Sequence, residues 1–226
     1  MEFGGFQKLS LLNFPDKMAC AAFTSGCNFR CPYCHNAELV RGNGQKIDPE
    51  QILAYLRKRK GMLEGICISG GEPLMTDDIL PFMEKAKELG YAVKLDTNGS
   101  YPERLRMVLS KGLADYVAMD VKNTAARFAE TIGRLDAPIT KIRESISLLK
   151  EGKTPYEFRT TVVREYHSAD DIGEIAAYLS GASVWYLQPF RDAQEVPLKG
   201  LHAPDQMTME EFGSIGNRFI KTIIRN

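Results

Sequence analysis

Three cysteines, Cys27, Cys31 and Cys34, stand at C-x3-C-x2-C spacing in the stretch GCNFRCPYCHN from Gly26 to Asn36. Three thiolates this close can cap three corners of one small inorganic cube, whereas pairing as disulfides would leave one over. A [4Fe–4S] cluster ordinarily takes four cysteine ligands, so three local ones leave one iron open to a substrate or cosubstrate. Pro32 restricts the backbone between the last two ligands, and Gly26 and Asn28 suit the tight, partly left-handed turns of such a loop. A zinc knuckle would need a fourth ligand from a second C-x2-C or a His pair further on, and the sequence has neither. His35, next to Cys34, is awkwardly placed to share one tetrahedral ion with it. A redox dithiol of Cys31 and Cys34 would leave Cys27 without a role.

The rest of the chain limits the setting of this loop. Its 226 residues suit one domain, 1–226, with a real core. The 44% hydrophobic and 26% charged content is that of a globular protein. With 29 basic and 29 acidic residues the net charge is zero, so bulk attraction to nucleic acid or to a membrane surface is not expected. No apolar run is long enough to span a bilayer and no signal peptide is recognised, so the expected location is cytoplasmic. A reducing compartment argues against a disulfide framework. Cys20 and Cys67 lie in apolar runs and are expected in the core.

The chain alternates strand and helix. Lys17 to Thr24 reads as a buried strand ending at the cysteine loop, after a lead-in from Phe6 to Asp16. Further strands are expected at 65–69, 91–96, 116–121, 156–163 and 184–189, as apolar or β-branched runs. Helices are expected from Asp48 (N-cap, with Pro49 and Gln51 following), over 77–89, 102–111, 125–132 and 139–150, and from Ser168 to about Leu179. A capping box at Thr208-Met209-Glu210-Glu211 is expected to open the terminal helix. Six alternations demand right-handed βαβ units and a parallel sheet. They are too few to close an eight-stranded barrel, so the expected fold is α/β, an open partial (β/α)6 TIM-like barrel. Its site should lie at the C-terminal ends of the strands. The loop from Arg191 to Gln206 then falls on the mouth side.

Short motifs sit at those strand ends. Ser69-Gly70-Gly71-Glu72-Pro73 follows the second strand; its glycines admit a ligand close to the backbone, and Glu72 can accept from an ammonium group. It is neither a P-loop nor a dinucleotide fingerprint. Asp96-Thr97-Asn98-Gly99 ends the third strand and is, taken alone, an Asx-type turn. Asp120 and Lys122 end the fourth strand and point to one face, as an ion pair or as a bracket around a zwitterion. Arg191 follows the sixth strand, either as a surface residue or as a bidentate carboxylate binder. His167 and His202 read as loop or surface residues without a role.

The cysteine spacing, with an aromatic residue before the third cysteine, resembles the radical S-adenosylmethionine (SAM) superfamily. The wider string, from Leu11-Asn13-Phe14-Pro15-Asp16-Lys17 through Phe23-Thr24-Ser25-Gly26-Cys27 to Cys34-His35-Asn36, resembles the glycyl-radical-enzyme activases. Among them it is most similar to activators of anaerobic ribonucleoside-triphosphate reductase, with the pyruvate formate-lyase activating enzyme as a near relative. The resemblance implies a [4Fe–4S] cluster on Cys27, Cys31 and Cys34 and an open barrel of the radical SAM type. It implies SAM contacts from Tyr33 (backbone to adenine), Gly70, Gly71 and Glu72 (amino group), Asp96, Asp120 and Lys122, with His35 as a neighbour of the cluster. Arg191 stands near the place where the pyruvate formate-lyase relative has a carboxylate-binding His. A similarly placed Asp in related activases helps hold a monovalent cation, which extends to Asp96. The implied reaction is one-electron cleavage of SAM to methionine and a 5′-deoxyadenosyl radical, which takes hydrogen from a backbone glycine of a partner enzyme. A low-potential donor such as flavodoxin or ferredoxin would supply the electron.

Three functional readings stand beside one another. The first is an activase of anaerobic ribonucleotide reductase, with pyruvate formate-lyase or another glycyl radical enzyme as alternative partner; a short barrel with an open lateral mouth suits a protein loop. The second is an enzyme of the same superfamily acting on a small molecule such as a deazapurine precursor. The third is a metal-binding interaction module without catalysis, which metal content would separate from the other two.

Overall fold

The computed structural model describes residues 2–225. Among them one eight-stranded sheet runs in sequential order: β1 (Phe3–Ser10), β2 (Ala19–Thr24), β3 (Gly65–Gly70), β4 (Ala92–Thr97), β5 (Tyr116–Asp120), β6 (Tyr156–Val162), β7 (Trp185–Pro189) and β8 (Thr222–Ile224). From β2 to β8 every neighbour is parallel, while β1 pairs antiparallel with β2. The edges, β1 and β8, do not pair with each other, so the barrel stays open. Helices follow the parallel strands: α1 (Ala37–Arg41) and α2 (Pro49–Lys58) after β2, α3 (Ile79–Glu88) after β3 and α4 (Pro102–Ser110) after β4. Next come α5 (Phe128–Ile132) and α6 (Ile139–Glu151) after β5, α7 (Ala169–Tyr178) after β6 and α8 (Gln206–Gly216) after β7. Strands β2 to β7 with their helices are the six expected units. Among the described residues, no helix is long and apolar enough to cross a membrane.

Local signals set most boundaries. Asp48 accepts from the Glu50 N–H while Gln51 accepts from the Asp48 N–H, which closes the capping box of α2. Ser168 and Asp171 do the same for α7. The last helix differs from expectation: it is capped by Asp205, which accepts from the Thr208 N–H at 2.8 Å, so Thr208 is the third helical residue and not the cap. Two edge strands were also not anticipated. Strand β1 takes in the first five residues of what reads as a lead-in; its Gly-Gly and Gln-Lys residues have little strand propensity, and its order comes from pairing with β2 across two register irregularities. Strand β8 has three residues and extends β7.

The sheet has two unlike faces. Outward residues such as Cys20, Ile66, Ile68, Leu95, Val117, Phe158 and Trp185 are fully buried against the helices and form the hydrophobic core. Cys67 is buried as well, on the opposite face. That inner face is charged on β4 to β6, because period-2 alternation directs Lys94, Asp96, Asp120, Glu157 and Arg159 inward. Lys94 donates to Asp96. Arg159 reaches Asp96 at 3.3 Å through Nη1 and Asp120 at 3.0 Å through Nε, and Lys122 Nζ meets Asp120 at 2.8 Å. Lower down, Glu157 is held by Arg225 at 3.0 and 3.1 Å and by the Tyr116 hydroxyl at 3.0 Å.

Burial works against the ionised forms of Asp96 and Asp120, but Arg159 with Lys94 in one case, and Lys122 with Arg159 in the other, hold both below the ordinary aspartate value of 3.8. Carboxylates with lowered folded values stabilise the protein above their unfolded value, and that contribution disappears as pH falls. Replacing Arg159 with Met should cost about 3–5 kcal/mol at neutral pH in urea unfolding, since it strands two buried carboxylates. The variant should also lose less of its remaining stability than the wild type between about pH 4 and about pH 2; a cost below about 1 kcal/mol would contradict a working buried network. At the other end of the chain, Asp205→Ala should lower the melting temperature by roughly 2–4 °C through loss of the α8 cap, while exposed Glu211→Ala should leave it nearly unchanged.

Candidate active site

The cysteine loop begins where β2 ends and is pinned on several sides. Its Gly26 N–H donates to Leu39 of α1 at 2.9 Å, and its Arg30 N–H donates to Ile132 of α5 at 2.8 Å. Phe29 is buried edge-on against Phe128, with ring centroids 6.0 Å apart. Asn36 Nδ2 donates to the Gly70 carbonyl at 3.0 Å, and His35 Nε2 lies 2.5 Å from the Arg191 carbonyl oxygen. The tightest approach is to the Gly-Gly turn. A Cβ on Gly71 would stand 1.7 Å from the Gly26 carbonyl oxygen, the same oxygen that accepts from the Glu72 N–H at 2.9 Å. Glycine is therefore required there so that the cysteine loop can seat on β3.

Glu72 is employed differently from the expectation. Its carboxylate accepts from the Leu74 N–H at 3.0 Å, the Thr97 hydroxyl at 2.7 Å and the Asn98 N–H at 2.6 Å. It caps the short 3-10 turn Pro73–Met75 and ties the β3 loop to the end of β4. It does not line the cavity beside the cysteines, although Gly70 and Gly71 do. Burial pushes its pKa up to about 7 despite these three donors.

That cavity, of about 190 Å³, gathers most of the expected residues: Cys27, Cys31 and Cys34, Tyr33 and His35, Gly70 and Gly71, and Asp96, Asp120 and Lys122. Burial pushes the Cys27 and Cys31 thiols up to about 11 and about 12, so bare thiols stay protonated and metal coordination would have to displace their protons. Among the described residues no three His, Cys, Asp or Glu side chains converge as ligands of a single metal ion. Thiols spread around one cavity suit three different irons of a cubane. Their soft donors match iron–sulfur chemistry, and Cys27 Sγ already accepts from the Phe29 N–H at 3.4 Å and from Asn98 Nδ2 at 3.7 Å. Tyr33 Oη is the one buried side-chain polar atom without a hydrogen-bond partner among the described residues, a further sign of a site built for an occupant. These features fit a [4Fe–4S] cluster and SAM held together.

Burial disfavours the charged form of Lys122, but the Asp120 carboxylate beside it, helped by Tyr33 and Cys31, raises its pKa and keeps it an ammonium. Asp96 lies between two cations, Lys94 and Arg159. Those side chains supply the positive charge that a monovalent cation would bring there. Arg191 is exposed and lines a second, larger cavity of about 590 Å³, not the smaller one. The two cavities share His35, Asp96, Arg159 and Thr161. The larger one reaches the loop Leu11–Pro15, which joins β1 to β2 at the N-terminal end of the parallel strands and whose Leu11 and Leu12 are 69% and 94% exposed.

Several residues of the site had not been singled out. Arg159 touches both cavities and bridges the two aspartates; its signal was a charge on every second residue of a strand that has to be buried. Asn98 links Glu72 to the cysteine loop through its N–H, through Cys27 and through Asn28 Oδ1 at 3.0 Å. His167 is buried, not a surface residue: Nε2 lies 2.9 Å from the Lys122 carbonyl and Nδ1 3.2 Å from that of Val163. Burial lowers its pKa, which suits a neutral ring supporting the Lys122 backbone. No spacing rule marked it. His202 is exposed and pairs with Glu165, as a surface residue would.

Comparison with known proteins adds an independent line. The model of the Radical SAM superfamily matches residues 22–179. A Methanocaldococcus jannaschii protein, described provisionally as a glycyl-radical enzyme activating enzyme, is 33% identical across 97% of this chain and 93% of its own. A 7-carboxy-7-deazaguanine synthase of Thermococcus kodakarensis is 28% identical over 73% of this chain and 71% of its own. Among solved structures, a radical SAM methyltransferase of Sphaerobacter thermophilus shares the fold with a TM-score of 0.73, at 15% identity, over 96% of this chain and 68% of that one. The chain belongs to the radical SAM superfamily, as an oxidoreductase whose cofactors are a [4Fe–4S] cluster and SAM.

Proposed function

We propose that the protein is a glycyl-radical-enzyme activase, with anaerobic ribonucleoside-triphosphate reductase as its partner. The observation that carries this reading is the continuity of the two cavities. The smaller holds the cysteine loop, and the larger continues from it through His35, Asp96, Arg159 and Thr161 down to the loop of exposed Leu11 and Leu12 at the opposite end of the strands. An extended protein segment entering past that loop would meet an apolar lip and then a polar interior. The similarity to the M. jannaschii protein over nearly the whole chain supports the same reading.

When bound, the cluster and SAM supply a 5′-deoxyadenosyl radical able to take a hydrogen atom. Cys27, Cys31 and Cys34 are the cluster ligands. The Lys122 ammonium is placed for the SAM carboxylate, and Asp120 for ribose or ammonium groups. Gly70 and Gly71 present backbone without side-chain bulk. The buried network of Lys94, Asp96 and Arg159 fixes Asp120 from below, and His167 holds the Lys122 backbone. Tyr33 and Phe29 close the cysteine loop against the core and limit water at the reacting centre. The electron comes from a low-potential carrier protein.

A second reading, action on a small molecule, is favoured by the similarity to the T. kodakarensis enzyme. The larger cavity also has a volume typical of small-molecule sites. Anaerobic electron paramagnetic resonance of the reconstituted protein with SAM, dithionite and anaerobic ribonucleotide reductase separates the two. A glycyl radical doublet on the reductase is expected. Deoxyadenosine formed without a doublet would overturn the choice of partner and favour the second reading.

Replacing Lys122 with Ala should weaken SAM binding roughly tenfold, the value of one charge-assisted contact, and leave iron content unchanged. Unaltered SAM affinity would remove Lys122 from the site. Gly71→Ala should lower reconstituted iron content and the melting temperature together, because the added methyl displaces the cysteine loop. Wild-type iron loading in that variant would contradict the close approach.

A further inference from the structure

A recess of about 290 Å³ lies outside the barrel, with Asn28, Ser100, Tyr101, Arg134, Asp136 and Lys141 in its wall. Phe29 also lines it and is the one lining residue shared with the smaller cavity; none is shared with the larger. Its floor is joined to the cysteine loop by an unbroken set of contacts. Asn98 Nδ2 donates to Cys27 Sγ at 3.7 Å and to Asn28 Oδ1 at 3.0 Å, and Asn28 Nδ2 donates to Ser100 Oγ at 2.9 Å. Cys27 is thus one residue from the outer surface, whereas Cys31 is buried and Cys34 is followed by His35, which is bonded to the Arg191 carbonyl beside the larger cavity.

The surround is cationic. Lys141 is exposed and makes no ion pair or hydrogen bond among the described residues. Arg30 is exposed, and its guanidinium donates to the carbonyls of Cys27 and Phe29 with no carboxylate partner. Arg134 pairs with Asp136 at 2.7 Å. Between them stands Leu135, 98% exposed at the tip of the α5–α6 turn. The turn is held rigidly on the cysteine loop: Gly133 has φ +64° and a Cβ there would lie 2.2 Å from the Arg30 carbonyl oxygen.

We propose that this face is the docking site of a reduced one-electron carrier protein with an acidic surface, and that the electron enters the cluster by way of Asn28 and Cys27. The carrier loses one electron and the cluster gains it; no bond is made or broken. Electron transfer through protein falls steeply with distance, so the single-residue cover that Asn28 gives Cys27 on this face favours entry here. Unpaired cations around an exposed apolar side chain match an acidic partner, speeding encounter and fixing orientation. The recess shares no lining residue with the larger cavity, so a carrier can dock while that cavity is occupied. The inference rests on Cys27, Cys31 and Cys34 being the cluster ligands.

The test compares the reconstituted wild type with Lys141→Glu and with the double variant Arg134→Glu, Lys141→Glu. The carrier probe is reduced flavodoxin and dithionite is the small-molecule control. Two quantities are read without SAM: the dissociation constant for flavodoxin at low and high salt, and the rate of cluster bleaching with each reductant. Double charge reversal should weaken flavodoxin binding and slow flavodoxin-driven bleaching by roughly tenfold at low salt, flatten their salt dependence, and leave the dithionite rate unchanged. Unchanged flavodoxin binding and rate would overturn the proposal. Equal slowing with both reductants would overturn it as well, since the face would then be supporting the loop and not receiving a partner. A wild-type protein with no dithionite-reducible cluster would defeat the ligand assignment itself, which is a separate result.

Discussion

The contact on which the site depends is the seating of the Gly26 carbonyl on the Gly70-Gly71 turn. The cysteine loop has no regular structure of its own between the end of β2 and α1, so its shape has to be imposed from outside. Gly71 allows the approach, the Glu72 N–H bonds the same carbonyl, and the Glu72 carboxylate passes the constraint to Thr97 and Asn98 on β4. Asn98 then returns it to Cys27. The closed circuit runs through three consecutive strand ends, and it explains why a buried carboxylate with a raised pKa is kept there. A preorganised loop that does not have to collapse around its metal can hold three thiols while leaving the space beside them for a second ligand.

A second constraint comes from the inner face of the sheet. A parallel sheet covered on both sides ordinarily has apolar strands on both faces. Here the helices cover one face with the core, and the other carries a ladder of alternating charges from Glu157 and Arg225 up to Lys122. Every carboxylate in it has a cation within hydrogen-bond distance, which is the condition for charge to persist at such depth. Arg159 is its pivot, since it binds both Asp96 and Asp120 and reaches both cavities. The interior is thus prefilled with fixed dipoles and charges that need not reorganise when a zwitterion enters.

Much of this was legible in the sequence, because the signals are local. The C-x3-C-x2-C spacing, the Gly-Gly turn after β3 and the Asp-x-Lys at the end of β5 all mark strand ends, and alternation gives the six βα units. Capping chemistry placed α2 and α7 correctly. What was missed depends on partners distant in sequence. Strand β1 has weak intrinsic propensity and exists because β2 is beside it. Asp205 displaced Thr208 as a cap by a shift of three residues, since several acceptors in a row satisfy the same rule. His167 and Asn98 have roles set by what folds onto them. The pattern Val93-Lys94-Leu95-Asp96, matched by Glu157-Phe158-Arg159, did carry information: charges at every second position of a buried strand point to a polar interior, and therefore to a site.

The central claim is that Cys27, Cys31 and Cys34 hold a [4Fe–4S] cluster with one iron left for SAM. The most direct measurement is metal and sulfide analysis of the anaerobically purified protein, coupled to electron paramagnetic resonance of its reduced form with and without SAM. About four irons and about four sulfides per chain, with a spectrum that shifts when SAM is added, are the predicted result. A single zinc without sulfide, or a reduced cluster whose spectrum ignores SAM, would contradict it.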